Sequence, residues 1–187
     1  REFGGFEHNL QSLRVVDELE ERYAAFNGLN LTFECREGIL KHCSAANARK
    51  MEAADPTGVA RRFLDHSQPG LEAQLCNLAD EIAYNNHDVD DGLRAGLIRL
   101  DDLAEVPFVG PLVIEARRQS PAHEPRRLVY EVNRRLITVM IRECVAETRR
   151  RLDALQPTDV DAIRRHPDCI AAFAPTEATA LAGLKAF

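Results

Sequence analysis

The residues best suited to chemistry lie in one stretch, Leu78-Ala79-Asp80-Glu81-Ile82-Ala83-Tyr84-Asn85-Asn86-His87-Asp88-Val89-Asp90-Asp91. A helix turns about 100° per residue, which puts Tyr84, His87, Asp88 and Asp91 within about 80° of Asp80 on the helical surface. Carboxylates, a phenol and an imidazole thus share one stripe. Leu75, Leu78, Ile82, Val89 and Leu93 supply another face that can be buried. A solvated face usually mixes lysine and arginine with its acids, but here no base follows until Arg94. The stripe reads as a site. Asp80 leads it as a hard oxygen ligand for a divalent cation. One aspartate and a distant histidine do not make a metal centre, so two or three further ligands are needed. His8, His42, His66, His123 and His166 lack the close pairing that would supply them locally.

The elements that position this stripe must come from 187 residues, of which 45% are hydrophobic and 29% charged. That is a globular balance, enough for one domain with a sizeable core or one and a half small ones. A net charge of −6 argues against an extensive nucleic-acid surface and leaves room for a local basic pocket for a polyanion. No apolar run approaches the roughly 20 residues that span a bilayer. The five cysteines (Cys35, Cys43, Cys76, Cys144 and Cys169) are widely spaced and form no CxxC pair. Neither a disulfide framework nor a zinc knuckle is expected, and a reducing cytoplasm is the simplest home. The sequence starts at Arg1 without a methionine and stops at Phe187 inside a helical pattern. It reads as a segment of a longer protein, whose other parts can carry missing ligands.

Taken in order, Arg1 to Phe6 is a Gly-Gly loop that Phe3 and Phe6 can anchor. From Glu7, the recurrence of Leu10, Leu13, Val16, Leu19 and Tyr23 predicts a helix ending near Asn27-Gly28. His8 falls in its first turn, where an imidazole either holds or protonates a phosphate oxygen or serves as a capping or surface residue. Asn30-Leu31-Thr32 cap a short helix reaching about His42, with Ile39 and Leu40 in the core. Lys41 and His42 suit its C-terminal end as well as an anionic ligand. Residues 43–70 read as a flexible loop and a lid candidate, with room for a brief helix in Met51–Leu64. The organising helix follows from about Leu71 to Asp91. Gly92 ends or kinks it, and Leu93–Arg99 continues the helical pattern.

A break over Asp101–Pro111 precedes a restart near Leu112, and Ser120–Pro125 is a second polar break containing His123. Arg126 to about Leu155 is the longest pattern, with Leu128, Val132, Leu136, Val139, Met140, Cys144 and Thr148 on one face. Asn133 and a row of charges, including Arg127, Arg142 and Arg149–Arg151, occupy the opposite face. Arg134 and Arg135 are the better candidates for reaching a phosphate. Pro157-Thr158-Asp159 caps a helix from Val160, His166-Pro167-Asp168 breaks it, and Thr176–Phe187 begins another. No alternating strand run or internal repeat is visible, so the fold class is all-α. Nucleotide-binding glycine motifs and a GxSxG elbow are absent, and the acidic helix argues against a helix-turn-helix.

Several motifs together carry a resemblance. Gly5-Phe6-Glu7-His8-Asn9-Leu10-Gln11-Ser12, Gly28-Leu29-Asn30-Leu31-Thr32-Phe33-Glu34 and Glu37-Gly38-Ile39-Leu40-Lys41-His42 are followed by Leu71-Glu72-Ala73-Gln74 and Ala79-Asp80-Glu81-Ile82-Ala83-Tyr84, then Asp91-Gly92-Leu93-Arg94-Ala95-Gly96. In that order they resemble the bacterial deoxyguanosinetriphosphate triphosphohydrolase-like family, HD-domain enzymes related to the human SAM-and-HD-domain dNTPase. The resemblance runs over roughly Gly4 to Leu97 and more weakly to Phe187. It implies an incomplete HD-domain-like helical bundle, with residues 1–100 as the central and C-terminal part of the domain and 101–187 as a helical extension.

The implied reaction is metal-dependent hydrolysis of a deoxynucleoside triphosphate (dNTP) to deoxynucleoside and inorganic triphosphate. The implied cofactor is Mg²⁺ or Mn²⁺, and the implied assembly a homo-oligomer. Asp80 matches the last metal ligand of a His…His-Asp…Asp set, and His8 a histidine against the α-phosphate. Tyr84 and Asp88 match residues that hold the sugar, the aspartate at its 3′-hydroxyl. The first histidine and the His-Asp pair of that set lie upstream of His8 in the family. His87-Asp88 repeats the letters of that pair within the wrong motif and takes no such role. One of four ligands is then present, and the segment alone is expected to be inactive. Two rivals stand beside this reading: an HD phosphohydrolase acting on another nucleotide, and a helical regulatory protein that binds a nucleotide without turnover.

Overall fold

The computed structural model describes residues 7–55, 57–119 and 125–186. The expected Phe3 and Phe6 anchors and the break containing His123 lie outside the described residues. Ten α-helices and no strand are found among those described: α1 (His8–Arg14), α2 (Phe33–Ile39), α3 (Ala45–Ala54), α4 (Arg62–Asp65), α5 (Leu71–Ala95), α6 (Leu100–Ala104), α7 (Gly110–Gln119), α8 (Pro125–Leu155), α9 (Val160–Arg164) and α10 (Pro175–Ala186). The all-α class holds. Two compact units divide the chain, one of residues 1–77 with 156–170 and one of 78–155 with 171–187. This division differs from the implied segments 1–100 and 101–187.

In the first unit, the Glu7 carboxylate caps α1 by accepting the N–H groups of Asn9 and Leu10. Leu13, Leu40, Ala48, Val59 and Ala60 form its core. The helix expected to run to Asn27 is shorter. After α1, one π-helical turn spans Val15–Leu19, and Glu20 is already extended. The returning chain occupies the carbonyls that a longer helix would use: Leu29 N–H donates to Val16 O at 2.7 Å and Gly28 N–H to Glu20 O at 2.8 Å. Tyr23, the last residue of the apolar period, stacks on Phe26 in the intervening turn, with ring centroids 4.9 Å apart. Gly28 permits the return, because its φ is +70° and a Cβ there would stand 2.2 Å from Asp17 O. Gly28→Ala is therefore expected to cost about 2 kcal/mol or more of unfolding free energy, read as a lower urea midpoint at unchanged slope.

The stretch 43–70 is also more ordered than the sequence suggests. Ser44 accepts Asn47 N–H to cap α3, and Ala48, Val59 and Ala60 are buried. The run of alanines read as loop is the best helix-forming composition available. Buried Glu37 then ties three segments together, accepting Gly70 N–H at 3.0 Å and the Arg164 guanidinium at 3.1 Å. Gln74 does similar work, accepting Ile170 N–H at 2.7 Å and donating to Pro69 O at 2.9 Å. These bonds hold 156–170 within the first unit.

In the second unit, Ile82 and Val89 of α5 pack with Leu103 and Val109, with Val113 of α7, and with Val132, Leu136 and Met140 of α8. Gly92 does not end α5; it sits inside, with Ile98 where a Cβ would approach to 3.0 Å. The terminator is Gly96, at φ +69°. The expected face of α8 is largely confirmed, since Val132, Leu136, Met140, Cys144 and Thr148 are buried. Asn133, expected outside, is buried instead and donates to Asp90 at 3.2 Å. It lies one residue from Val132 and three from Leu136, near enough to the apolar stripe to be carried in once a polar partner faces it.

Near the end of α8, buried Glu147 accepts from both Arg150 and Arg151. Those two guanidiniums hold its carboxyl down to about 2 from 4.5. A lowered folded pKa contributes stability above the unfolded value, and the contribution is lost as pH falls through the folded one. The difference in urea midpoint between wild type and Glu147→Gln should therefore shrink from about pH 5 to about pH 3. A pH-independent difference would show that the ion pairs contribute nothing.

Candidate functional site

Helix α5 presents the stripe to solvent. Asp80, Tyr84, His87, Asp88 and Asp91 are all exposed, while Ile82, Asn85, Asn86 and Val89 are buried on the other side. The hydrophobic face is as expected except at Leu75, which is 37% exposed. In the first turns of α5 the buried positions are Ala73 and Gln74, because Gly38 lies against Ala73 and Gln74 reaches Ile170. Tyr84 is 65% exposed, a large aromatic that folding leaves in water. Among the described residues, no hydrogen bond or ion pair engages Tyr84, His87, Asp88 or Asp91. Two carboxylates, a phenol and an imidazole therefore remain available to an incoming ligand beside the exposed Asp80, at the i, i+4, i+8 spacing of Asp80, Tyr84 and Asp88.

His8, in the first unit, opens α1 as expected and is 73% exposed by its side chain, with Nδ1 3.6 Å from the Glu7 carboxylate. The free N–H groups expected beside it are not free, since Glu7 accepts those of Asn9 and Leu10. Burial pushes the Glu7 carboxyl up, but the Leu10 and Asn9 hydrogen bonds outweigh it and hold it below the usual range. An anion approaching His8 therefore meets an imidazole beside a carboxylate rather than a bare helix end. Arg134 and Arg135, expected to reach for phosphate, both bind Glu131 at 2.7 Å. His42 is exposed.

Among the described residues, no three His, Cys, Asp or Glu side chains gather as possible ligands. Asp80 therefore gains no fellow ligands for a metal centre among the described residues. All five cysteines are free. No helix among the described residues is long and apolar enough to cross a membrane.

A second feature escaped the sequence reading. Between α5 and α8 lies a cavity of about 410 Å³, lined mainly by Ile82, Ala83, Asn86, Tyr130, Asn133 and Ile137. Asn86 donates to Ile82 O at 2.7 Å and to the Met140 sulfur at 3.4 Å. Its own amide oxygen and that of Asn133 are buried without a partner. The signal was present, because Asn86 stands four residues after Ile82 and three before Val89, squarely on the buried period.

Comparison with known proteins finds relatives over most of the chain. It is 57% identical over 175 residues to a deoxyguanosinetriphosphate triphosphohydrolase-like protein of Thiobacillus denitrificans, covering 94% of this chain and 45% of the relative. A protein of the same description from Bordetella pertussis is 58% identical over 164 residues, covering 88% of this chain and 41% of the relative. One from Ralstonia pickettii is 53% identical over 169 residues, with 90% and 42% covered. The chain thus spans less than half the length of the curated relatives it matches. No family model matches it.

Proposed function

We propose that the intact protein hydrolyses dNTPs, dGTP among them, to deoxynucleoside and inorganic triphosphate, on the support of 57% and 58% identity to deoxyguanosinetriphosphate triphosphohydrolase-like proteins over 94% and 88% of this chain. The observation that carries the reading is the α5 stripe, where Asp80, Tyr84 and Asp88 stand exposed on one face with the phenol left in water. In this proposal the deoxyribose packs on the Tyr84 ring, and its 3′-hydroxyl donates to the Asp88 carboxylate. His8 contacts the α-phosphate and holds or delivers a proton there. Asp80 is one ligand of a divalent cation, Mg²⁺ or Mn²⁺, and polypeptide that this chain does not span supplies the others. Assembly as a homo-oligomer belongs to the same proposal.

The test is turnover of full-length protein with each dNTP and either cation, with the phosphate product separated by chromatography. Inorganic triphosphate with a free deoxynucleoside supports the proposal. Pyrophosphate or orthophosphate as the first product would assign a different nucleotide phosphohydrolase. Tight dNTP binding without turnover would assign a nucleotide-binding regulator.

A further inference from the structure

Near the C-terminal end of α5, two cations converge on one phenol. Arg126 donates from Nε and Nη2 to Tyr130 Oη at 3.3 and 3.2 Å, and Arg94 donates from Nη2 to the same oxygen at 3.2 Å. Both guanidiniums also lie over the Tyr130 ring, 5.7 and 5.8 Å from its centroid. A phenol oxygen has two lone pairs, so three N–H groups oversubscribe it. The two like charges repel each other, and one carboxylate answers them. Asp90 holds Arg94 Nε at 2.8 Å, whereas among the described residues no carboxylate pairs with Arg126. One positive charge is left uncancelled. The cluster borders a cavity of about 290 Å³ lined by Asp90, Leu93, Arg94, Arg126, Val129 and Tyr130.

We propose that this cavity binds inorganic phosphate or a short inorganic oligophosphate, at a site separate from the one that holds the dNTP. Phosphate oxygens match the forked donors of two guanidiniums. Each guanidinium turns from the phenol to the anion, and the Tyr130 hydroxyl then donates its own proton to it. Arg126 lies in the first turn of α8, where the helix dipole also favours an anion. Asp90 is already occupied by Arg94 and by the Asn133 amide at 3.2 Å. The lining reads charge and not a base. Leu93 and Val129 are aliphatic, no amide lines the cavity, and a base stacking on Tyr130 would compete with two guanidiniums for the ring. Arg94 stands about 21 Å along the helix axis from Asp80, at 1.5 Å per residue. That is too far for the triphosphate of a dNTP whose α-phosphate sits at Asp80. The inference rests on this cluster and not on the proposed reaction, so either can fail alone.

The experiment is calorimetric titration of full-length protein with inorganic phosphate and with inorganic triphosphate, in EDTA so that no divalent cation is bound. Arg126→Gln removes the charge at an exposed position, and an unchanged urea midpoint will show that the fold is kept. Wild type should bind triphosphate, and Arg126→Gln should bind it about 10-fold more weakly or worse. Arg94→Gln should weaken it as well, and any dNTP turnover should be unchanged by Arg126→Gln. No triphosphate binding by wild type, or equal binding by Arg126→Gln, would overturn the proposal. Turnover lost together with binding would place the arginines in the reaction site and overturn it equally. A deoxynucleoside monophosphate that binds through Arg126 more tightly than phosphate would show that a nucleoside is read there, and would overturn the assignment to an inorganic anion.

Discussion

Asp80→Ala in the full-length protein is expected to lower dNTP hydrolysis about 1000-fold, equivalent to about 4 kcal/mol of lost transition-state stabilisation. The helix should be untouched. Asp80 lies on the exposed face of α5, while the residues that hold that helix in its core, Ile82 and Val89, face the other way. Surface substitutions of this kind usually change stability by no more than about 0.5 kcal/mol. Activity lost with the urea midpoint unchanged is therefore the signature of a ligand residue. Activity lost together with the midpoint would mean a folding role, and activity retained would remove Asp80 from the site.

Asp88→Ala should act differently, on substrate choice. A carboxylate facing a sugar hydroxyl makes a charge-assisted hydrogen bond, and a site built around that bond rejects an analogue lacking the hydroxyl. Wild-type protein is expected to prefer a dNTP over its 2′,3′-dideoxy counterpart by about 100-fold in kcat/KM. The substitution should bring the two substrates close to parity, mainly by weakening the better one. Asp88 and Tyr84 stand exposed in this chain, so the discrimination depends on what the substrate itself buries. Unchanged selectivity would assign the 3′-hydroxyl to another residue.

The stripe was legible in the sequence because it obeys one local rule. A 3.6-residue period sorts Ile82 and Val89 inward and Asp80, Tyr84 and Asp88 outward with no knowledge of the rest of the chain. The same rule found the core face of α8. It failed where a distant segment decides. The turn from Glu20 to Gly28 exists because Leu29 and Gly28 return to the carbonyls of Val16 and Glu20, which no window of apolar spacing reveals. Glu37 and Gln74 sit within motifs that could be read as chemistry, yet their partners are Gly70, Arg164 and Ile170, and they hold structure together. The alanines of α3 look like loop through their small, polar neighbours, although alanine favours helix on its own. Asn133 falls on the charged face by spacing and Asn86 takes no role there, because amides are ordinarily solvent-facing. The companions that the proposed metal at Asp80 requires are beyond reach for a simpler reason: one aspartate in a helix does not encode distant ligands.

The central claim is that water attacks the α-phosphorus of a dNTP and that the bond to the sugar O5′ breaks. Turnover of dGTP by full-length protein in ¹⁸O-enriched water tests it most directly, with the products resolved by mass spectrometry. The account predicts one ¹⁸O in inorganic triphosphate and none in deoxyguanosine. Label in the deoxyguanosine, or label in a released orthophosphate or pyrophosphate, would contradict it.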